Sequence, residues 1–140
     1  MSPRLRVACY VTRERAERIE LLVFDHVDFL EAGRQVPAGG IEAGETYAEA
    51  AVREVREETG LTGAKVVRVV GESDRPHPET GEPRRTTYVH LRTTAESPER
   101  WIHVVTGAGD DAELRFACFW AALPVQLADQ QHELLGRLDL

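Results

Sequence analysis

Glu54, Glu57 and Glu58 stand three and four positions apart, in the stretch EVREE. On a helix, steps of three and four place side chains along one edge, so the three carboxylates share a surface. Alone, that edge is unfavourable. Two carboxylates ~6 Å apart repel by roughly 0.7 kcal/mol in water and about 3 kcal/mol at an effective dielectric of 20. Glu57 and Glu58 also lie in the last turn before Gly60, where the helix dipole opposes negative charge. Arg53 and Arg56 offset part of this. Oxygen ligands gathered on one edge are what a hard cation such as Mg²⁺ or Mn²⁺ requires. Held by few carboxylates, such an ion keeps positions open for water and phosphate oxygens, and it can polarise a phosphorus centre.

The helix that carries these acids announces its own limits. Thr46 suits the N-cap, and Glu49 three residues on completes a capping box. Gly60 supplies a left-handed stop. The spacing of Ala48, Ala51, Val52 and Val55 predicts a core-facing stripe beside the acidic edge. Ahead of it, Pro37 and the glycines Gly39, Gly40 and Gly44 mark a shaped loop in which the backbone can approach its surroundings closely. Glu45, at the loop's end, and Arg53 are placed to form an ion pair that pins loop to helix.

Around this unit the chain reads as strands. Leu5 to Arg13 and Arg18 to His26 are expected to form a hairpin, and a short strand is expected at Arg34 to Val36. Further strands are predicted at Ala64 to Ser73, Arg84 to Thr93, Arg100 to Thr106 and Glu113 to Leu123. The segment Asp74 to Pro83 is a Pro/Gly-rich loop, and a last helix is predicted over Val125 to Arg137. The 140 residues suit one domain, 1–140, with a sizeable core. A net charge of -7 argues against long nucleic acid as partner, but not against a small phosphate ligand bound through a cation. No membrane span is expected. Cys9 and Cys118 each sit in an apolar run without a CxxC pattern and read as buried free thiols, which fits a cytoplasmic setting.

The glycine loop and the acidic helix together resemble the Nudix box, Gly-x5-Glu-x7-Arg-Glu-U-x-Glu-Glu-x-Gly-U, where U is a bulky aliphatic residue. Gly39, Glu45, Arg53, Glu54, Val55, Glu57, Glu58, Gly60 and Leu61 fill every fixed position. The motif covers Gly39 to Leu61 only. The resemblance implies an α/β fold, an α/β/α sandwich around a mixed central sheet. It also implies hydrolysis of the diphosphate linkage in a small nucleotide, namely a nucleoside diphosphate sugar, a nucleoside triphosphate or a dinucleoside polyphosphate, with Mg²⁺ or Mn²⁺. By the same resemblance, Glu54, Glu57 and Glu58 look like metal ligands, and Gly39 looks like a contributor through its carbonyl. Glu57 or Glu54 is also the candidate to orient or deprotonate water, while Arg53 and Glu45 hold the box in shape. A non-catalytic nucleotide-sensing module on this fold is the alternative, and a homodimer is compatible with the family.

Outside the box, Glu113, Asp110 and Asp111 are candidates for a further acidic ligand or base. Tyr88 and Trp101 are the first choices for an aromatic platform, against a core role for them and for Trp120 and Phe116. His90 and His103 lie on strands and could meet as a metal pair, although isolated core histidines are the commoner case. Arg84 and Arg85 read as a solvated pair at a strand start.

Overall fold

Arg4–Arg15 forms the first strand, β1, in a computed structural model that describes residues 2–107 and 112–138. A tight turn at Ala16 and Glu17, both with positive φ (52° and 64°), leads into β2, Arg18–His26. Two positive-φ central residues give the turn a hand that matches strand twist, so the expected hairpin forms, with Arg15 opposite Arg18. The next strand, β3 (Ala38–Gly40), precedes helix α1 (Tyr47–Thr59). After α1 come β4 (Lys65–Ser73), β5 (Arg84–Arg92), β6 (Arg100–Val104) and β7 (Arg115–Ala122). They build one mixed sheet in the order β4-β5-β1-β2-β7-β6, with β3 added to β1. Among the described residues, only β1 and β5 run parallel.

Alternation along β1 sends successive residues to opposite faces. Val7, Cys9 and Val11 meet Ala50, Ala51 and Val55 of α1, with Leu22, Val89, Leu91 and Trp120 completing that core. Ala8 and Tyr10 turn the other way, onto Leu127, Leu134 and Leu138 of the C-terminal segment. The α/β class and the mixed sheet therefore stand as expected.

Two elements differ from expectation. Arg34 to Val36 is not a strand; Gln35 makes a single bridge to Phe24, and the strand is displaced to Ala38–Gly40. Pro37 still contributes its carbonyl, which accepts the Cys9 amide at 2.8 Å. The predicted C-terminal helix is instead two 3₁₀ turns, Ala128–Gln130 and Leu135–Arg137. Asp129 and Gln130 adopt left-handed φ values of 53° and 52°, which no continuous helix accommodates. The break lets Gln131 turn inward, where its side chain accepts the Val36 amide at 2.8 Å. Tyr10 reinforces the arrangement by donating to the Gln131 carbonyl and accepting from the Leu134 amide. No helix among the described residues is long and apolar enough to cross a membrane.

One topological detail creates the site. The edge of β1 away from β5 changes partner along its length. Arg6, Val7 and Ala8 pair with β3, whereas Thr12 to Arg15 pair with β2. The strands flanking β1 thus diverge, and α1 lies over the opening.

Candidate active site

α1 starts and stops where its sequence indicates. The Thr46 hydroxyl accepts the Glu49 amide at 3.1 Å, and the Glu49 carboxylate accepts the Thr46 amide at 2.9 Å. Gly60 closes the helix in the left-handed region. The buried face, however, is not the expected one. Val52 is 40% exposed, while Ala50, Ala51, Val55 and Thr59 are buried. Glu54 and Glu58 are buried with them, at 8% and 4% exposure, so the acidic edge is turned inward and is not a solvated surface.

Arg53 organises these acids. Its Nε and Nη2 donate to the two carboxylate oxygens of Glu45 at 2.7 and 2.9 Å, and Nη2 also donates to the Gly40 carbonyl at 2.9 Å. Nη1 reaches Glu54 at 2.8 Å and Glu57 at 3.3 Å. One planar fork thereby ties the glycine loop to two of the three helix acids. Glu58 accepts the Ala38 amide at 2.8 Å, fixing the start of β3 against the helix.

The electrostatics follow from these contacts. Arg53's donation holds the Glu45 carboxyl below its ordinary range. Burial pushes the Glu54 carboxyl up, with Arg53's hydrogen bond opposing. The helix C-terminus, unfavourable for acids, receives compensating donors: the Thr106 amide and His103 Nε2 both approach the Glu57 carbonyl, at 3.0 and 3.1 Å.

Two glycines lie in close approach to the acids. A Cβ at Gly39 would stand 2.4 Å from the Glu54 carboxylate, and one at Gly107 would stand 2.6 Å from that of Glu57. Space that only a missing side chain leaves open therefore adjoins both carboxylates. The donor set, carboxylates with backbone carbonyls beside them, is chemically right for Mg²⁺ or Mn²⁺. Among the described residues no three acids converge on a single point; Glu54 and Glu57 instead share the Arg53 Nη1 cation.

The acids open onto a cleft of about 490 Å³. Its lining includes Gly39, Gly40, Arg53, Glu54, Glu57 and Glu58, and also Arg4, Arg6 and Arg84. Arg84 was expected to be solvated; it is 8% exposed and bonded to Asp129, whereas Arg85 is exposed and pairs with Asp74. Arg4 and Arg6 were not among the expected site residues, although their i, i+2 spacing at the start of β1 marks a shared face.

Other candidates lie elsewhere. Tyr88 sits on the face of the sheet opposite α1, 4% exposed, against Tyr10 and with its hydroxyl 3.1 Å from Glu133. It is not brought to the cleft. Trp101 donates its indole N–H to the Thr59 carbonyl at 2.7 Å and packs against the core at the end of α1. Glu113 is exposed, with its amide bonded to the Val105 carbonyl at 2.9 Å; its neighbour Ala112 lines the cleft. Asp110 and Asp111 lie outside the described residues. His90 and His103 occupy β5 and β6, which β1, β2 and β7 separate, so they form no pair. Cys9 and Cys118 are buried free thiols, and burial pushes the Cys118 thiol up to about 12, which excludes it as a ready nucleophile.

A glycine loop is thus locked to an acidic helix, on a mixed sheet and beside a charged cleft. The chain belongs to the Nudix hydrolase family: the sequence model of the NUDIX domain matches residues 2–135. Human diphosphoinositol polyphosphate phosphohydrolase 3-alpha is 41% identical over 66 residues, which cover 47% of this chain and 37% of that relative. The match thus spans well under half of that relative's length. Among solved structures, the C. elegans Ap4A hydrolase superposes with a TM-score of 0.67 at 18% identity, covering 97% of this chain and 96% of the other. The NUDIX domain of Shewanella oneidensis NrtR, complexed with ADP ribose, gives a TM-score of 0.73 at 12% identity, over 98% and 86%. At these identities the two structures speak for the fold.

Proposed function

We propose that this protein hydrolyses the diphosphate linkage of a small nucleotide derivative with Mg²⁺ or Mn²⁺. The observation that carries the reading is that Glu54, Glu57 and Glu58 line one cleft, Glu54 and Glu57 held by a single arginine fork and Glu58 by the Ala38 amide. Glu54, Glu57 and Glu58, together with the Gly39 carbonyl, would hold the ion. When bound, it polarises a phosphoryl oxygen and makes a coordinated water more acidic. The attacking water is oriented by a carboxylate oxygen of Glu54 or Glu57, which takes its proton. Arg53 keeps both acids and the loop in register through its bonds to Glu45 and Gly40. The names of the relatives span Ap4A, ADP ribose and a diphosphoinositol polyphosphate, which supports a phosphoanhydride and leaves the group beyond it open. Two buried free thiols support a reducing, cytoplasmic setting.

The test is a panel of nucleoside diphosphate sugars, nucleoside triphosphates and dinucleoside polyphosphates with Mg²⁺, read by product release. Glu57→Gln is expected to lose most turnover, on the order of a hundredfold, while its circular dichroism stays that of the wild type. Wild-type rates in that variant would remove Glu57 from the chemistry.

A further inference from the structure

The cleft has a second charged wall that the hydrolytic centre does not use. In the parallel β1–β5 register Arg4 stands beside Arg84, and Arg6 lies two residues further on the same face. All three line the cleft that holds the acids. Arg84 is held by Asp129 and by the Arg75 carbonyl, which accepts its Nε at 3.2 Å. Among the described residues, neither Arg4 nor Arg6 has an ion-pair partner. The guanidinium of Arg6 is held below its ordinary value by burial and then by its like-charged neighbours, Arg84 first and Arg4 after Asp129's opposing attraction. Of these three cations Arg84 is bonded to a carboxylate, that of Asp129, whereas Arg4 and Arg6 carry guanidinium donors that an anion can take up. They also lie within electrostatic reach of the acids, since Arg6 senses Glu58 and Glu54 senses Arg6.

The lining lacks one feature. No Phe, Tyr or Trp belongs to it among the described residues; the ring it does include is the imidazole of His77, from the loop before β5. The described lining is richer in guanidinium groups suited to phosphate than in rings suited to a base.

We infer that Arg4, Arg6 and Arg84 form an anion-binding wall that engages phosphate groups beyond the diphosphate that is cleaved, so that the substrate is a polyphosphorylated molecule and not a simple nucleoside diphosphate sugar. The inference rests on the hydrolytic reading of the acid wall. Phosphates next to the metal would be neutralised by it, whereas the guanidinium donors of Arg4 and Arg6 suit a separate anionic group. Guanidinium forks match phosphate oxygens in pairs.

Two experiments test this. In the first, kcat and KM are measured with Mg²⁺ on ADP-ribose and on diadenosine tetraphosphate, for the wild type, Arg4→Gln, Arg6→Gln and the double variant. The wild type should favour the tetraphosphate by roughly tenfold or more in kcat/KM. The double variant should bring that ratio towards one, chiefly through KM. An equal loss on both substrates, or no loss, would overturn the proposal. In the second, inorganic tripolyphosphate is titrated calorimetrically into metal-free protein. Its Kd should weaken by about tenfold or more in the double variant; an unchanged Kd also overturns the proposal. Should the wild type cleave neither nucleotide nor any other member of the substrate panel, the hydrolytic reading fails, and the titration still decides the arginine wall. Arg4 is exposed, so the single Arg4→Gln variant keeps both measurements available if the double variant folds poorly.

Discussion

Arg53 shows how much one side chain can organise. Its guanidinium contacts Glu45, the Gly40 carbonyl, Glu54 and Glu57 at 2.7 to 3.3 Å. A lysine keeps the charge but cannot form the fork. Arg53→Lys is therefore expected to cost ~1–3 kcal/mol in urea unfolding and roughly tenfold or more in turnover. Retention of both values would mean that the fork is incidental. Gly39 acts by what it lacks. With a Cβ 2.4 Å from the Glu54 carboxylate, Gly39→Ala must displace either the acid or β3. Weaker Mg²⁺ uptake by calorimetry is the expected result, with an unaltered far-ultraviolet spectrum. Unchanged uptake would show that Glu54 tolerates the displacement.

At the scale of elements, the acidic helix is a compromise between core and site. Its buried face carries Ala50, Ala51 and Val55 together with Glu54 and Glu58. The acids remain there because Arg53 and the Ala38 amide satisfy them. The β1–β2 turn holds strain of another kind. Ala16 and Glu17 occupy the left-handed region without being glycine or asparagine, at roughly 1–2 kcal/mol for each such residue. Replacing the pair by Asn-Gly, the preferred sequence for this turn, should stabilise the fold by about 1 kcal/mol. Thermal unfolding reads this as a rise of a few degrees; a fall would show that the turn is not of this type in solution.

For the whole molecule, the sheet's interior contains a titratable group that predicts a pH response. His90 is buried, its Nε2 lies 2.8 Å from the Thr12 hydroxyl, and its Nδ1 has no hydrogen-bond partner among the described residues. Burial, then Arg92 and Arg68, hold its pKa below the ordinary value of 6.5. The folded state therefore binds this proton less readily than the unfolded chain does. Stability from this group is complete above pH 6.5 and falls as the pH drops towards the lower folded value. Urea unfolding between pH 7.5 and pH 5 should show that loss in the wild type and a flatter dependence in His90→Gln. Parallel curves for the two proteins would exclude His90 as the source.

The sequence by itself determined the parts whose signals are local. The limits of α1 were legible because capping chemistry acts within a few residues of Thr46 and Gly60. The Arg53–Glu45 pairing was legible because a fixed spacing spans it. The strands of the sheet, apart from β3, were legible because their alternation is intrinsic. Only the tertiary structure decided which way the acidic edge faces, since burial depends on where the sheet lies and not on the helix alone. It also decided the fate of the C-terminal segment, where Gln131 reaching Val36 across the fold outweighs helical periodicity. The arginine wall emerged the same way. Arg4 and Arg84 stand some 80 positions apart in the chain and become neighbours only through the parallel register of β1 and β5.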